Sequence, residues 1–205
     1  MSTEATKLKI INSALRMVGS YHIDASDTTS TTYEIANRAY EQAVTELFGD
    51  NIFYYNTKFV ELNASNSTPN AGEPYIYYYN LPSDFNILIK ICHPTEHYNI
   101  TDFNFYNGLL HCNDPRINIY YTYVPDLSSA TALPEFLTRV LALHMAQNMA
   151  IELSGSENRH EILYVQYQKA LKRARVLEGR QGPAQTYINE ENSQFLSGHR
   201  NYGKV

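Results

Sequence analysis

The chain has 205 residues and a formal charge of −5, from 16 Lys and Arg against 21 Asp and Glu. That balance argues against a surface built to neutralise nucleic-acid phosphates, which needs an excess of cations. Hydrophobic residues at 43% suffice for an ordinary core, but charged residues at 18% fall short of the usual share of about a quarter; amides, hydroxyls and 18 tyrosines fill the gap, and Trp is absent.

The length fits one domain, or one domain with a modest insertion. Two cysteines cannot frame a disulfide-stapled fold, and a reducing compartment is the simpler reading. The longest apolar stretch, 140–153, is interrupted by His144, Gln147, Asn148 and Glu152, which excludes a membrane-spanning helix. Asn12, Ser13 and Arg16 break the N-terminal apolar run before a secretory core can form, so no targeting segment is read there.

In chain order the pattern runs helices, strands, helices. Leu8, Ile11, Leu15 and Val18 make one stripe of a helix over 6–18, with Gly19 as its stop. A Ser/Thr/Asp loop follows. A second helix reaches Phe48, with Ala36, Ala39, Tyr40, Ala43, Val44 and Leu47 inward and Gly49 ending it. Short strands are expected at 58–62 and 75–79, the latter placing Tyr75, Tyr77 and Tyr79 on one face and Tyr78 on the other. A further strand puts Ile87, Ile89 and Ile91 together. Asn107-Gly108 supplies the two positive φ angles of a type I′ hairpin after the strand that carries Phe103 and Phe105. Over 116–124, Ile117, Ile119, Tyr121 and Tyr123 point inward, and Asn118, Tyr120 and Thr122 outward. Pro134 opens a helix to Leu153 that is apolar nearly all round, and Ser154-Gly155-Ser156 closes it. The last helix, 157–177, buries Leu163, Tyr167, Ala170, Leu171, Ala174 and Leu177, with Lys169, Lys172, Arg173 and Arg175 in its final turns, where they complement the helix dipole. From Gly179 the chain is polar and reads as an extended tail.

The expected architecture is therefore α+β: a four-helix bundle, from helices in 1–56 and 133–178, with an antiparallel β region inserted at 57–132 and a tail over 179–205.

Little points to bond-making chemistry. Cys92-His93, His97 and His111-Cys112 carry zinc-binding side chains, but neighbours along a strand face opposite ways and the spacing fits no zinc module. No metal or other cofactor is expected. His144 lies on an apolar helix with only Glu152 as a nearby carboxylate, so a hydrogen-bonded core histidine outranks a catalytic base. Asp24 and Asp27 read as helix-capping residues rather than an acid–base pair. The tyrosine-bearing strands suit packing first, subunit contacts next and a ligand platform last.

An ordered series of segments resembles the tail tubular protein A family of short-tailed bacteriophages, the head-to-tail adaptors or gatekeepers. It comprises Ile11-Asn12-Ser13-Ala14-Leu15-Arg16-Met17-Val18-Gly19, Tyr79-Asn80-Leu81-Pro82-Ser83-Asp84-Phe85, Tyr106-Asn107-Gly108-Leu109-Leu110, Ile119-Tyr120-Tyr121-Thr122-Tyr123-Val124, Leu133-Pro134-Glu135-Phe136 and Ser154-Gly155-Ser156. The likeness spans about residues 8–187. It departs where the family usually shows a tryptophan and this chain has Asp50-Asn51-Ile52-Phe53-Tyr54-Tyr55.

The resemblance implies a non-enzymatic virion protein at the neck, assembled in the host cytoplasm. Such a protein forms a homo-oligomeric ring of about twelve copies between the portal protein and the tail nozzle protein, around a channel that double-stranded DNA passes without specific binding. Tail fibres are a further partner of such rings. The negative charge suits a conduit that must not hold DNA. Exposure and mobility place the expected portal contact from Arg173 onward: Arg173 and Arg175 on the last helix, then Arg180, Tyr187, Phe195, Arg200 and Tyr202 in the tail. The expected tail-side contact lies in the loops at 64–74 and 95–116, at Asn66, Asn70, Glu73, Tyr98, Asn107, Asp114 and Arg116. The rival expectation is a module that recognises a host glycan or receptor through the tyrosine-rich sheet.

Overall fold

The structure is a computed structural model that describes residues 3–65, 74–127 and 133–181. Among the described residues the chain is mixed α+β, with four α-helices and two small antiparallel sheets.

Helix α1 spans Thr3–Val18 and α2 spans Thr31–Asp50. Gly19 leaves α1 with φ +81°, and the Arg159 guanidinium donates to the Val18 carbonyl, satisfying a group the helix cannot. Asp27 holds Ser30, which in turn accepts from Tyr33 N at 3.1 Å as the N-cap of α2. Gly49 does not stop α2. The helix continues through it to Asp50, and Asn51 closes it by donating from Nδ2 to the Leu47 carbonyl at 2.8 Å.

Helix α3 (Glu135–Ser154) is the hub, with residues 140–146 buried in unbroken succession. It packs against α1, α2 and α4 (Glu157–Gln181), whereas α1 and α2 meet each other only slightly. Gly155, at φ +63°, ends α3 in the left-handed conformation, and Ser156 accepts from Arg159 N to start α4. Helix α4 runs past the expected end at Leu177. Gly179–Gln181 are therefore helical rather than extended, and Lys169 to Arg175 lie well before the last turn, where the dipole contributes little. The helices share one hydrophobic cluster, in which Phe48, Leu47, Leu15 and Phe53 are fully buried.

The strands are β1 (Thr57–Asn63), β2 (Tyr77–Asn80), β3 (Ile87–Cys92), β4 (Phe103–Tyr106), β5 (Leu109–Cys112) and β6 (Arg116–Thr122). They pair in the orders β1–β6–β3 and β2–β5–β4. Val60, Ile119 and Ile91 align across the first sheet, and Tyr79 and Leu110 across the second; together they form a second hydrophobic cluster.

Three expectations change here. Ile87, Ile89 and Ile91 do not share a face, because a bulge between Leu88 and Lys90 shifts the register and turns Leu88 and Ile91 inward. Strand β2 starts at Tyr77 rather than Tyr75; Tyr79 is fully buried and donates to the Asp114 carbonyl, so it belongs to the core and not to a platform. Asn118 and Thr122, expected outward, are buried on the central strand. Thr122 Oγ1 accepts from Ile87 N at 3.2 Å. The hairpin follows its sequence signature, with Asn107 at φ 50° and Gly108 at φ 76°.

Candidate functional site

The helical and β parts meet at a polar joint, 51–56. Asn56 is completely buried; its Nδ2 donates to the Phe48 and Asn51 carbonyls at 2.9 and 3.1 Å, and its Oδ1 accepts from Phe53 N at 2.7 Å. One side chain thus ties the end of α2 to the start of β1. The β side adds Tyr123 N on the Asn56 carbonyl and Asn86 Nδ2 on the Gly49 carbonyl, at 2.9 and 3.0 Å.

The end of α4 clamps this joint. Arg175 Nη2 donates to Asn51 Oδ1 at 2.8 Å, and Glu178 Oε1 accepts from Tyr55 N at 3.2 Å. Burial outweighs those backbone donors and pushes the Glu178 carboxyl up to about 7. Of the expected portal-contact residues, Arg173 is exposed on α4, while Arg175 is committed to the joint. Arg180 lies in the last turn of α4. Tyr187, Phe195, Arg200 and Tyr202 lie outside the described residues, as do Asn66, Asn70 and Glu73.

The structure brings together only some of the expected tail-side residues. Tyr98 donates to Asp114 Oδ1 at 3.3 Å and stacks on His93, ring centroids 5.1 Å apart. Arg116 follows at once and pairs with Glu61 at 3.3 Å. Asn107 sits at the opposite end of β5, a four-residue strand of roughly 13 Å, so it is not part of that group.

Of the side chains weighed as zinc ligands, His93 is already engaged. His93 Nδ1 accepts from Thr95 N and Glu96 N at 3.4 and 3.2 Å. Cys92 and Cys112 are buried free thiols, and burial pushes the Cys112 thiol up. Among the described residues, no group of three or more His, Cys, Asp or Glu side chains could hold a metal ion.

Sequence reasoning missed the partner of His144. Glu152, its neighbour along the chain, instead accepts both bonds of Arg38 at 2.8 Å. The carboxylate that reaches His144 is Glu46 of α2, 3.0 Å from Nε2. The imidazole also stacks on Tyr167 of α4 at 4.4 Å, and its Nδ1 is buried without a partner. Glu46 lies on the α2 face that meets α3, but helical spacing alone does not select it from the other glutamates. The arrangement locks three helices together and offers no exposed nitrogen for proton transfer.

No protein-family model matches the chain, and no curated protein matches it significantly. No helix among the described residues is long and apolar enough to cross a membrane.

Proposed function

We propose that this chain is a structural virion protein, one subunit of a head-to-tail adaptor ring that joins the portal to the tail nozzle and leaves an axial channel for the genome. The observation that carries the reading is the clamp of α4 on the joint. The segment before the tail is bonded to the hinge between helices and sheets through Arg175–Asn51 and Glu178–Tyr55, so a load taken at the tail reaches both halves. The resemblance of the ordered segments supports it as well, because the same order of helices, sheets and helices would be expected of that family.

In this reading the four helices form one bundle around α3, and neighbouring subunits repeat a heterologous contact until about twelve copies close the ring. Arg173 and the residues beyond the clamp, from Arg180 onward, face the portal, and the Tyr98, Asp114 and Arg116 group faces the nozzle or tail fibres. The protein works by shape and breaks no bond. Net charge of −5 keeps passing DNA from being held, because like charge denies it any gain from counterion release.

The test is co-sedimentation with portal rings of the full chain and of a form lacking residues 188–205. The full chain is expected to travel with the portal and the shortened form to stay behind. Equal binding by both would remove the tail from the portal contact, and no binding by either would overturn the adaptor reading.

A further inference from the structure

Helix α4 carries a second apolar stripe besides the one it buries. Ile162, Val165, Lys169, Lys172 and Val176 follow one another at alternating steps of three and four residues, so they line one side of the helix. That side lies opposite Leu163, Tyr167, Leu171 and Ala174, which are buried in the helical cluster. Ile162, Val165 and Val176 are 51, 48 and 52% exposed. Lys169, Lys172 and the adjacent Arg173 are exposed too, and none of them has an ion-pair partner among the described residues.

We propose that this stripe is the docking face for the chain's own segment 187–196, folded back along α4 in the free protein. A single exposed apolar residue needs no explanation, but three on one stripe with cations between them fit a partner that runs apolar, acidic, apolar. The segment has that order: Tyr187-Ile188, then Glu190-Glu191, then Phe195-Leu196, with no Lys or Arg from 182 to 199. Gly182-Pro183 follows α4 directly and favours a break and a change of direction there. Laid antiparallel, Tyr187-Ile188 meets Val176, the glutamates meet Lys172 and Lys169, and Phe195-Leu196 meets Val165 and Ile162. The reach is sufficient. Val176 and Val165 lie about 16 Å apart along the helix axis, and the chain from Ile188 to Phe195 spans up to about 23 Å when extended. Charge disfavours the other occupants. A second copy of α4 on the same face would set lysine against lysine. A nucleic acid would gain nothing from the three apolar side chains, and the chain's net charge of −5 repels it. The contact belongs to the free chain and does not rest on the adaptor reading.

The experiment is amide hydrogen exchange on the full chain, read at 187–196. These amides should exchange about tenfold or more slowly than in a free peptide of the same sequence, independently of protein concentration. Lys169→Glu combined with Lys172→Glu, both at exposed positions, should return them to the peptide rate with circular dichroism unchanged. Adding Glu190→Lys and Glu191→Lys to that variant should restore the slow exchange. Peptide-like rates in the wild type, slow exchange that survives the lysine reversal, or failure of the full charge swap to restore it would overturn the assignment. Slowing that appears only as concentration rises would assign the stripe to the tail of a second copy, and would overturn the fold-back as well. None of these readings involves the portal, so they leave the co-sedimentation test untouched.

Discussion

Nε2 of His144 on α3 lies 3.0 Å from Oε2 of Glu46 on α2, and the same imidazole is stacked on Tyr167 of α4. Burial holds the His144 pKa below its ordinary value of 6.5, a shift that the Glu46 and Asp50 carboxylates only partly offset. The folded chain therefore resists a proton that the unfolded chain accepts. This contribution to stability is intact above about pH 6.5 and is lost as pH falls below it. In urea denaturation from pH 7.5 to 5, wild type should lose stability relative to His144→Gln, which keeps a donor for Glu46 but does not titrate. A constant difference across that range would contradict the assignment.

Glu178 has the opposite sign. Its carboxyl is raised from an ordinary 4.5 to about 7, so the folded chain binds the proton more tightly than the unfolded chain. Stability from this group is full below about pH 4.5 and falls as pH rises toward 7. Glu178→Gln retains an acceptor for Tyr55 N and should be more stable than wild type at pH 8, by up to about 1–2 kcal/mol given partial exposure. The gain should vanish near pH 4.5. A gain independent of pH would show that charge burial is not its source.

Arg175 and Asn51 should couple. Asn51→Ala removes both the closing bond to the Leu47 carbonyl and the acceptor for Arg175, and should cost about 1–2 kcal/mol. Arg175→Ala should cost less, because the guanidinium is largely exposed. A double-mutant cycle by chemical denaturation should return a coupling of about 0.5–1 kcal/mol. Additive losses would mean that the clamp on the joint contributes nothing.

The hydroxyl of Tyr79 reaches the Asp114 carbonyl from the centre of the β cluster, and burial with nearby Cys112 and Asp114 drives its ionisation far above the usual tyrosine range. Tyr79→Phe should lower stability by about 1–2 kcal/mol and increase hydrogen exchange around 113–115. An unchanged exchange pattern would argue that the turn holds itself.

The helices were legible in the sequence because each carries a clear buried stripe or, for α3, apolar residues on every side. The Asn107-Gly108 hairpin was legible because two positive φ angles demand those residues. What escaped was decided between segments. Nothing local marks the Ile89 bulge, because alternating apolar residues look the same with or without an extra residue. Gly49 resembled a stop, but the closing bond comes from the Asn51 side chain. Asn118 and Thr122 are polar yet buried, since β6 is the middle strand and both neighbours cover it. The joint was invisible for the same reason: Arg175, Glu178 and Asn51 meet only once α4 folds back on the end of α2.

The measurement that bears most directly on the adaptor reading is electron microscopy of the purified full-length chain mixed with portal rings. A ring of added density on one portal rim, repeating about twelve times around an open channel, is the expected result. Portal rings left bare at saturating protein, or density that blocks the channel, would contradict it.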